Sequence, residues 1–334
     1  MSTAQYMQRL EDLPCGVVLY YHNQIKNSIS TFCARGSDLS GQPLTVDTPL
    51  RIASNSKTFT AAAILRLVEM GKLSLDDAIS QHIDPKFNQL LSENYNTHNI
   101  TIRHLLNHSS GLFDHADEQY LKQVLAKPNY QWSRLEQVEL YTRKQFPVIA
   151  PSETFIYSDT GYILLGDIIE RLTGQSLGLA VRTLLNFNKI GLDSAYWECL
   201  EQPTTEAPRA RQYLKEIEGT HIHASMDLYG GGGLITSSRQ MALFLEALFN
   251  GEIFEQSETL EIMLSAGEHE GAQEYRLGIM VNIVNGMILY SHLGFWGSVA
   301  YYSPSTKTSA AGFVDDKQSR EVLIEVIEAM LTHG

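Results

Sequence analysis

The sequence predicts an α+β protein: an antiparallel sheet assembled from both ends of the chain, flanked by helices, with a mostly helical lobe inserted between. Three observations carry this. Alternating segments rich in Val, Ile, Phe and Tyr lie at 16–34 and again from 275 to 314. The stretch from about 80 to 225 carries helical periods and loops instead. The 334 residues, 43% of them hydrophobic, suffice for a large core. Strands at both ends with helices between them give a sheet with a nested α lobe. The expected division is 1–80 and 226–334 as the sheet lobe and 81–225 as the helical lobe, together one unit with its site expected in the cleft.

In chain order, Gly16 to Tyr21 and Ile25 to Ala34 read as two strands joined at His22-Asn23-Gln24. Thr58 to Met70 reads as a buried helix stopped at Gly71. A short element begins at Leu73. Thr101 to Asn107 reads as a helix capped by Thr101, ended by Ser109-Ser110-Gly111. Leu121 to Ala126 and Arg134 to Lys144 are weaker helical segments. Thr160 to Leu172 places apolar residues at 163, 164, 168, 169 and 172, a 3.6-residue period ending at Gly174. After four glycines, Gly230 to Gly233, a helix is expected from Ser238 to Phe249. Strands follow at 277–284, 287–292, 299–303 and 309–314, then a final amphipathic helix from Gln318 to Thr332.

Charge narrows the function. Against 25 Lys and Arg stand 38 Asp and Glu, a net charge of −13. Such a surface repels nucleic acid and anionic membranes. No run approaches the roughly 18 apolar residues of a membrane span. The first 13 residues are polar and lack a signal-peptide pattern. A cytoplasmic protein is expected, or a periplasmic or extracellular one from which a signal has been removed. Cys15, Cys33 and Cys199 form no Cys-x-x-Cys pair, which argues against structural zinc. Cys15 and Cys33 flank the first hairpin, symmetric about Gln24, and are expected to be small apolar residues of the sheet rather than a bridge.

The chemistry starts at Ser54. Ser54 and Lys57 form the single Ser-x-x-Lys of the chain, at the start of a buried helix. Three residues apart, they share one helix face, nucleophile beside base. A neutral amine is needed for that role, and burial lowers a lysine pKa. The helix start favours negative charge on a reacting carbonyl oxygen. The competing reading is that Ser54 caps the helix.

Five segments in order extend the pattern: Ala53-Ser54-Asn55-Ser56-Lys57-Thr58, Thr101 to Leu112, Tyr157-Ser158-Asp159-Thr160-Gly161, Gly231-Gly232-Gly233-Leu234-Ile235-Thr236 and His292-Leu293-Gly294. Together they resemble the serine β-lactamase and penicillin-binding superfamily, nearest its class C β-lactamase, DD-peptidase and esterase branch. The resemblance covers residues 14 to 330 and implies a β-lactamase/transpeptidase-like fold. It implies that Tyr157 passes protons beside Lys57, and that His292 lends charge or a proton from a strand end facing the cleft. It also implies an oxyanion hole from the amides of Ser54 and Phe295. Gly294 is expected to let a substrate approach the strand. Tyr21-His22-Asn23 and His269-Glu270-Gly271 mimic two of these motifs and are set aside on context.

Two departures matter. Asp159 stands where the family has asparagine. It either holds Lys57 charged, shifting the base role toward Tyr157, or binds a substrate amine. Leu293 stands where relatives acting on β-lactams or D-Ala-D-Ala often have threonine, and leucine donates no hydrogen bond to a substrate carboxylate.

The expected function is a serine hydrolase working through a Ser54 acyl-enzyme on an ester, D-amino-acid peptide or β-lactam, small molecule or peptide, with no cofactor and no metal. The alternative is a penicillin-binding sensor that acylates and turns over slowly. The pairs His104/His108 and His221/His223, the latter read as one face of a strand, have metal-like spacing. Packing is the default for both.

Overall fold

The computed structural model describes residues 3–142 and 148–333. The chain opens with α1 (Thr3–Glu11), β1 (Val17–Asn23), β2 (Ser28–Ala34), β3 (Leu50–Arg51) and α2 (Ser56–Glu69). The middle holds α3 (Pro85–Leu91), α4 (Ile102–Leu106), α5 (Glu118–Ala126), α6 (Arg134–Thr142), α7 (Asp159–Thr173) and α8 (Leu177–Leu184). Short strands follow: β4 (Tyr196–Trp197), β5 (Tyr213–Leu214), β6 (Ile217–Glu218) and β7 (Leu234–Thr236). The chain ends with α9 (Ser238–Phe249), α10 (Ser257–Leu264), β8 (Met280–Val284), β9 (Met287–Leu293), β10 (Ser298–Ser303), β11 (Thr308–Val314) and α11 (Arg320–His333).

The main sheet runs β2-β1-β11-β10-β9-β8, antiparallel throughout, so the two ends of the chain meet where β1 pairs with β11. Alternation does the rest. Val17, Leu19, Val299, Tyr301, Ala310 and Val314 point to the layer of α1 and α11. Their neighbours Val18, Tyr20, Ala300, Tyr302, Ala311 and Phe313 join the larger core that also holds α2, α7, α8 and α9. Both faces being covered, β10 and β11 are buried along their whole length. No described helix is long and apolar enough to cross a membrane.

Caps account for the helix boundaries read from sequence. Ser158 accepts from Gly161 N at the start of α7, Gly174 ends it at φ 68°, and Ser237 caps α9. At α4 the Thr101 hydroxyl accepts from His104 N, and His104 Nδ1 accepts from Thr101 N at 3.1 Å. A histidine thus completes a capping box that Glu or Gln usually closes.

Several expectations need correction. The hairpin turn falls at residues 24–27, with Asn27 at φ 49°, because β1 continues to Asn23. Its register sets Cys33 opposite Val18, and Cys15 precedes the strand; both thiols are free. No regular element begins at Leu73. His221 and His223 lie in no strand; His223 Nδ1 instead accepts from Ser225 N. His108 lies beyond the end of α4 at φ 58°, off the face of His104. Among the described residues no cluster of three metal-ligating side chains occurs. Helices α1, α3, α8 and α10 had no sequence expectation, and the end expected of α6 at Lys144 lies outside the described residues.

Candidate active site

Ser54 sits on a turn forced outward. Ala53, buried, takes a left-handed φ of 46°, which costs of order 1–3 kcal/mol for a residue with a Cβ. A 3₁₀ turn over Ala53–Asn55 then leads into α2. Of residues 50–65, Ser54 alone keeps partial exposure. It is not the helix cap: Asn55 holds that position, without a side-chain capping bond. In the amide orientation that satisfies both its groups, Asn55 Nδ2 donates to His292 O at 2.9 Å and Oδ1 accepts from Ser298 Oγ at 2.9 Å. The turn that carries Ser54 is thereby clamped to β9 and β10.

Lys57 is fully buried, and its three N–H donors are all engaged. Nζ donates to Ser54 Oγ at 3.1 Å, to Gly231 O at 2.8 Å and to Asp159 Oδ1. It also lies 5.0 Å from the Tyr157 ring centroid. Burial alone would push the amine down. The negative charge of Asp159, followed by Tyr157 and Asp227, outweighs it and holds the group charged, above the usual lysine range. Asp159 is correspondingly lowered: burial opposes its charge, and Lys57 overcomes that. Of the two roles open to Asp159, pairing with Lys57 is the one seen in this structure.

Tyr157 precedes α7, partly exposed, with its phenol hydrogen-bonded by the side chains of Ser54 and Lys57. Burial raises it above the usual phenol range despite Lys57. Its ring stacks at 4.3 Å and 32° on His108, whose Nδ1 accepts from Ser158 N at 3.1 Å.

His292 departs from expectation. It is buried at 2% exposure, its ring 6.5 Å from that of Tyr157, and it does not line the cavity in front of Ser54. Nε2 donates to Tyr275 Oη at 2.9 Å, and Nδ1 accepts from Leu293 N at 3.0 Å. Burial first, then the charge of Lys57, push it down to about 3. The ring is neutral near pH 7, so it supplies no positive charge to the cleft. Gly294 is likewise explained by packing. A Cβ there would lie 2.1 Å from Ser298 Oγ and 2.3 Å from Ile52 O. The glycine lets β9 press against the segment that carries Ser54. The N–H groups of Ser54 and Phe295 donate to no main-chain carbonyl among the described turns and loops.

In front of Ser54 lies a cavity of about 400 Å³ whose walls include Tyr157, Asp159 and Phe295. Sequence reasoning missed four further acids in it: Asp114, Asp117, Glu118 and Asp227. Their type was visible; their convergence from two separate segments was not. Of the two mimics, His22 lies in β1 with Nδ1 2.9 Å from Glu246, and Glu270 O accepts from Phe155 N at 2.8 Å.

Sheet, nested helices and a lysine-paired serine at their junction define the β-lactamase/transpeptidase architecture. The chain matches the Beta-lactamase family over residues 5–331 and belongs to it. It is 26% identical to a provisionally named D-alanyl-D-alanine carboxypeptidase of Escherichia coli O157:H7, over 80% of this chain and 70% of that protein. It is 40% identical to Protein flp of Staphylococcus aureus (strain COL), over 39% of this chain and 24% of that one. A D-amino acid amidase from Ochrobactrum anthropi SV3 superposes with a TM-score of 0.80 at 23% identity, covering 98% of both chains.

Proposed function

We propose that the protein is a serine hydrolase that forms a Ser54 acyl-enzyme on an amide or ester carbonyl, with D-amino-acid derivatives as the first class to try. The single observation behind this is the 3.1 Å contact of Lys57 Nζ with Ser54 Oγ at the floor of an open cavity. The names of two proteins matched over most of their length, a carboxypeptidase and an amidase, point the same way.

With Lys57 charged, the simplest base is not the amine. Ser54 Oγ passes its proton to the Tyr157 oxygen while Tyr157 passes its own to the leaving nitrogen or oxygen. The Oγ–carbon bond forms and the carbon–leaving-group bond breaks, with no free phenolate. The Lys57 ammonium stabilises charge on the relay. The N–H groups of Ser54 and Phe295 receive the carbonyl oxygen. Water returns along the same route to release the acid. His292 acts as a neutral positioning residue. We retain residues 1–80 with 226–334, and 81–225, as the two lobes of this unit.

The test is turnover of a p-nitrophenyl ester, a D-Ala-D-Ala peptide and a chromogenic cephalosporin, with Ser54→Ala as control. Turnover is expected to fall by at least about 10³-fold in the variant. Unaltered turnover overturns the reading. A stable Ser54 adduct without turnover assigns the slow sensor instead.

A further inference from the structure

Carboxylates dominate the polar lining of the cavity in front of Ser54. Asp114, Asp117, Glu118, Asp159 and Asp227 line it, and no lysine, arginine or histidine does among the described residues. Lys57 beneath it has no N–H to spare. Behind the acids lies a second, small cavity of about 10 Å³, room for one water-sized group. It shares Asp159, Asp227 and Met226 with the first. Gln137 lines it, 1% exposed. Gln137 Nε2 is satisfied by Tyr120 Oη at 2.8 Å and Ser225 O at 2.9 Å. Its Oε1 has no partner. Asp227 and the unpartnered amide oxygen of Gln137 therefore face the same small space, lined also by His115 and by Asp159, which is paired with Lys57; a buried acceptor left open in this way is unusual.

Resting on the reading of Ser54 as nucleophile, we propose that this acceptor set, centred on Asp227 with Asp114 and Gln137 Oε1, recognises a primary ammonium on the substrate, next to the scissile carbonyl. The substrates are then free-amine aminoacyl amides, esters or peptides rather than N-acylated ones. Apolar walls from Tyr120, Met226 and Phe295 take the side chain. Leu293 fits the same choice, since it offers no hydroxyl to a substrate carboxylate. Burial, then the charge of Asp159, push Asp114 and Asp227 up to about 7. An incoming ammonium relieves both.

The groups acting on Asp227 are Asp159, Lys57, Arg51 and Asp114; those acting on Asp114 include Asp159, Lys57 and His115 at 3.9 Å. Lys57 is held charged above the usual lysine range, so its charge is constant where the two carboxylates titrate. As pH falls below about 7 they gain protons and lose hold on a cation.

The test is calorimetric binding of D-alaninamide and N-acetyl-D-alaninamide to Ser54→Ala, with hydrolysis of the matching p-nitroanilides by the unaltered enzyme. The free amine is expected to be favoured by roughly ten- to hundredfold in both measurements. Its advantage should shrink from pH 8 to pH 5 and collapse in Asp227→Asn. Equal or tighter binding of the acetylated compound overturns the inference, even if Ser54→Ala abolishes hydrolysis and the hydrolase reading stands. Unaltered hydrolysis of both compounds by Ser54→Ala overturns the hydrolase reading, and the inference with it.

Discussion

At the scale of single residues, Asp159 decides how Lys57 behaves. Its carboxylate offsets the burial that would otherwise discharge the amine. Replacing it by asparagine leaves a buried lysine with its main partner gone, so the amine gives up its proton at lower pH. In Asp159→Asn the alkaline limb of the kcat/KM profile is expected to move to lower pH by about one unit or more, read with an ester substrate. An unmoved limb would show that Asp159 does not set the charge of Lys57. Ser54 and Lys57 were legible because three residues on a helix fix their proximity, and Tyr157 because its motif keeps its place and order despite the departure at Asp159. The neutrality of His292 was not legible, because it arises from Tyr275 and from burial by segments remote in sequence.

At the scale of elements, strand β9 and the turn that carries Ser54 are fitted to each other through Gly294. Real Cβ atoms do not approach backbone as closely as the 2.3 Å to Ile52 O that alanine would require. Gly294→Ala is expected to push the strand from the turn, costing about 1–3 kcal/mol of stability. Acylation should slow with it, as Phe295 N moves away from Ser54. A thermal melt with an acylation rate checks this; a variant with unchanged melting and unchanged acylation would mean the strand edge is free to shift. Helices α7 and α9 were readable because caps and a full apolar period coincide. Short helices such as α8 were missed, since their burial is set by tertiary neighbours rather than by a long repeat. The hairpin turn was misplaced because β1 ends in His22 and Asn23, polar enough to look like a turn while still paired to β11.

At the scale of the whole molecule, the two chain segments are tied by an ion pair while the cleft carries an opposing electrostatic load. Arg51 of β3 holds Glu198 through Nε at 2.7 Å and Nη2 at 3.0 Å. Burial opposes the charge of Glu198, and Arg51 with Arg209 overcomes that, so the group is lowered. Its contribution is present above the unfolded pKa and is lost as pH falls through the folded one. Asp227 has the opposite sign. Its folded value near 7 lies above the unfolded value of 3.8, so the folded state binds the extra proton. Ionising it therefore costs stability that is absent below about pH 4, accumulates between 4 and 7 and is complete above 7. Asp227→Asn removes that cost. The variant is expected to melt above the unaltered protein at pH 8, by an amount equivalent to on the order of 1–4 kcal/mol, and to match it near pH 4. An equal melting temperature at pH 8 would mean that Asp227 is relieved by its surroundings without a ligand. A gain in stability together with a loss of amine preference would show the cleft keeping an unfavourable charge for the sake of what it binds.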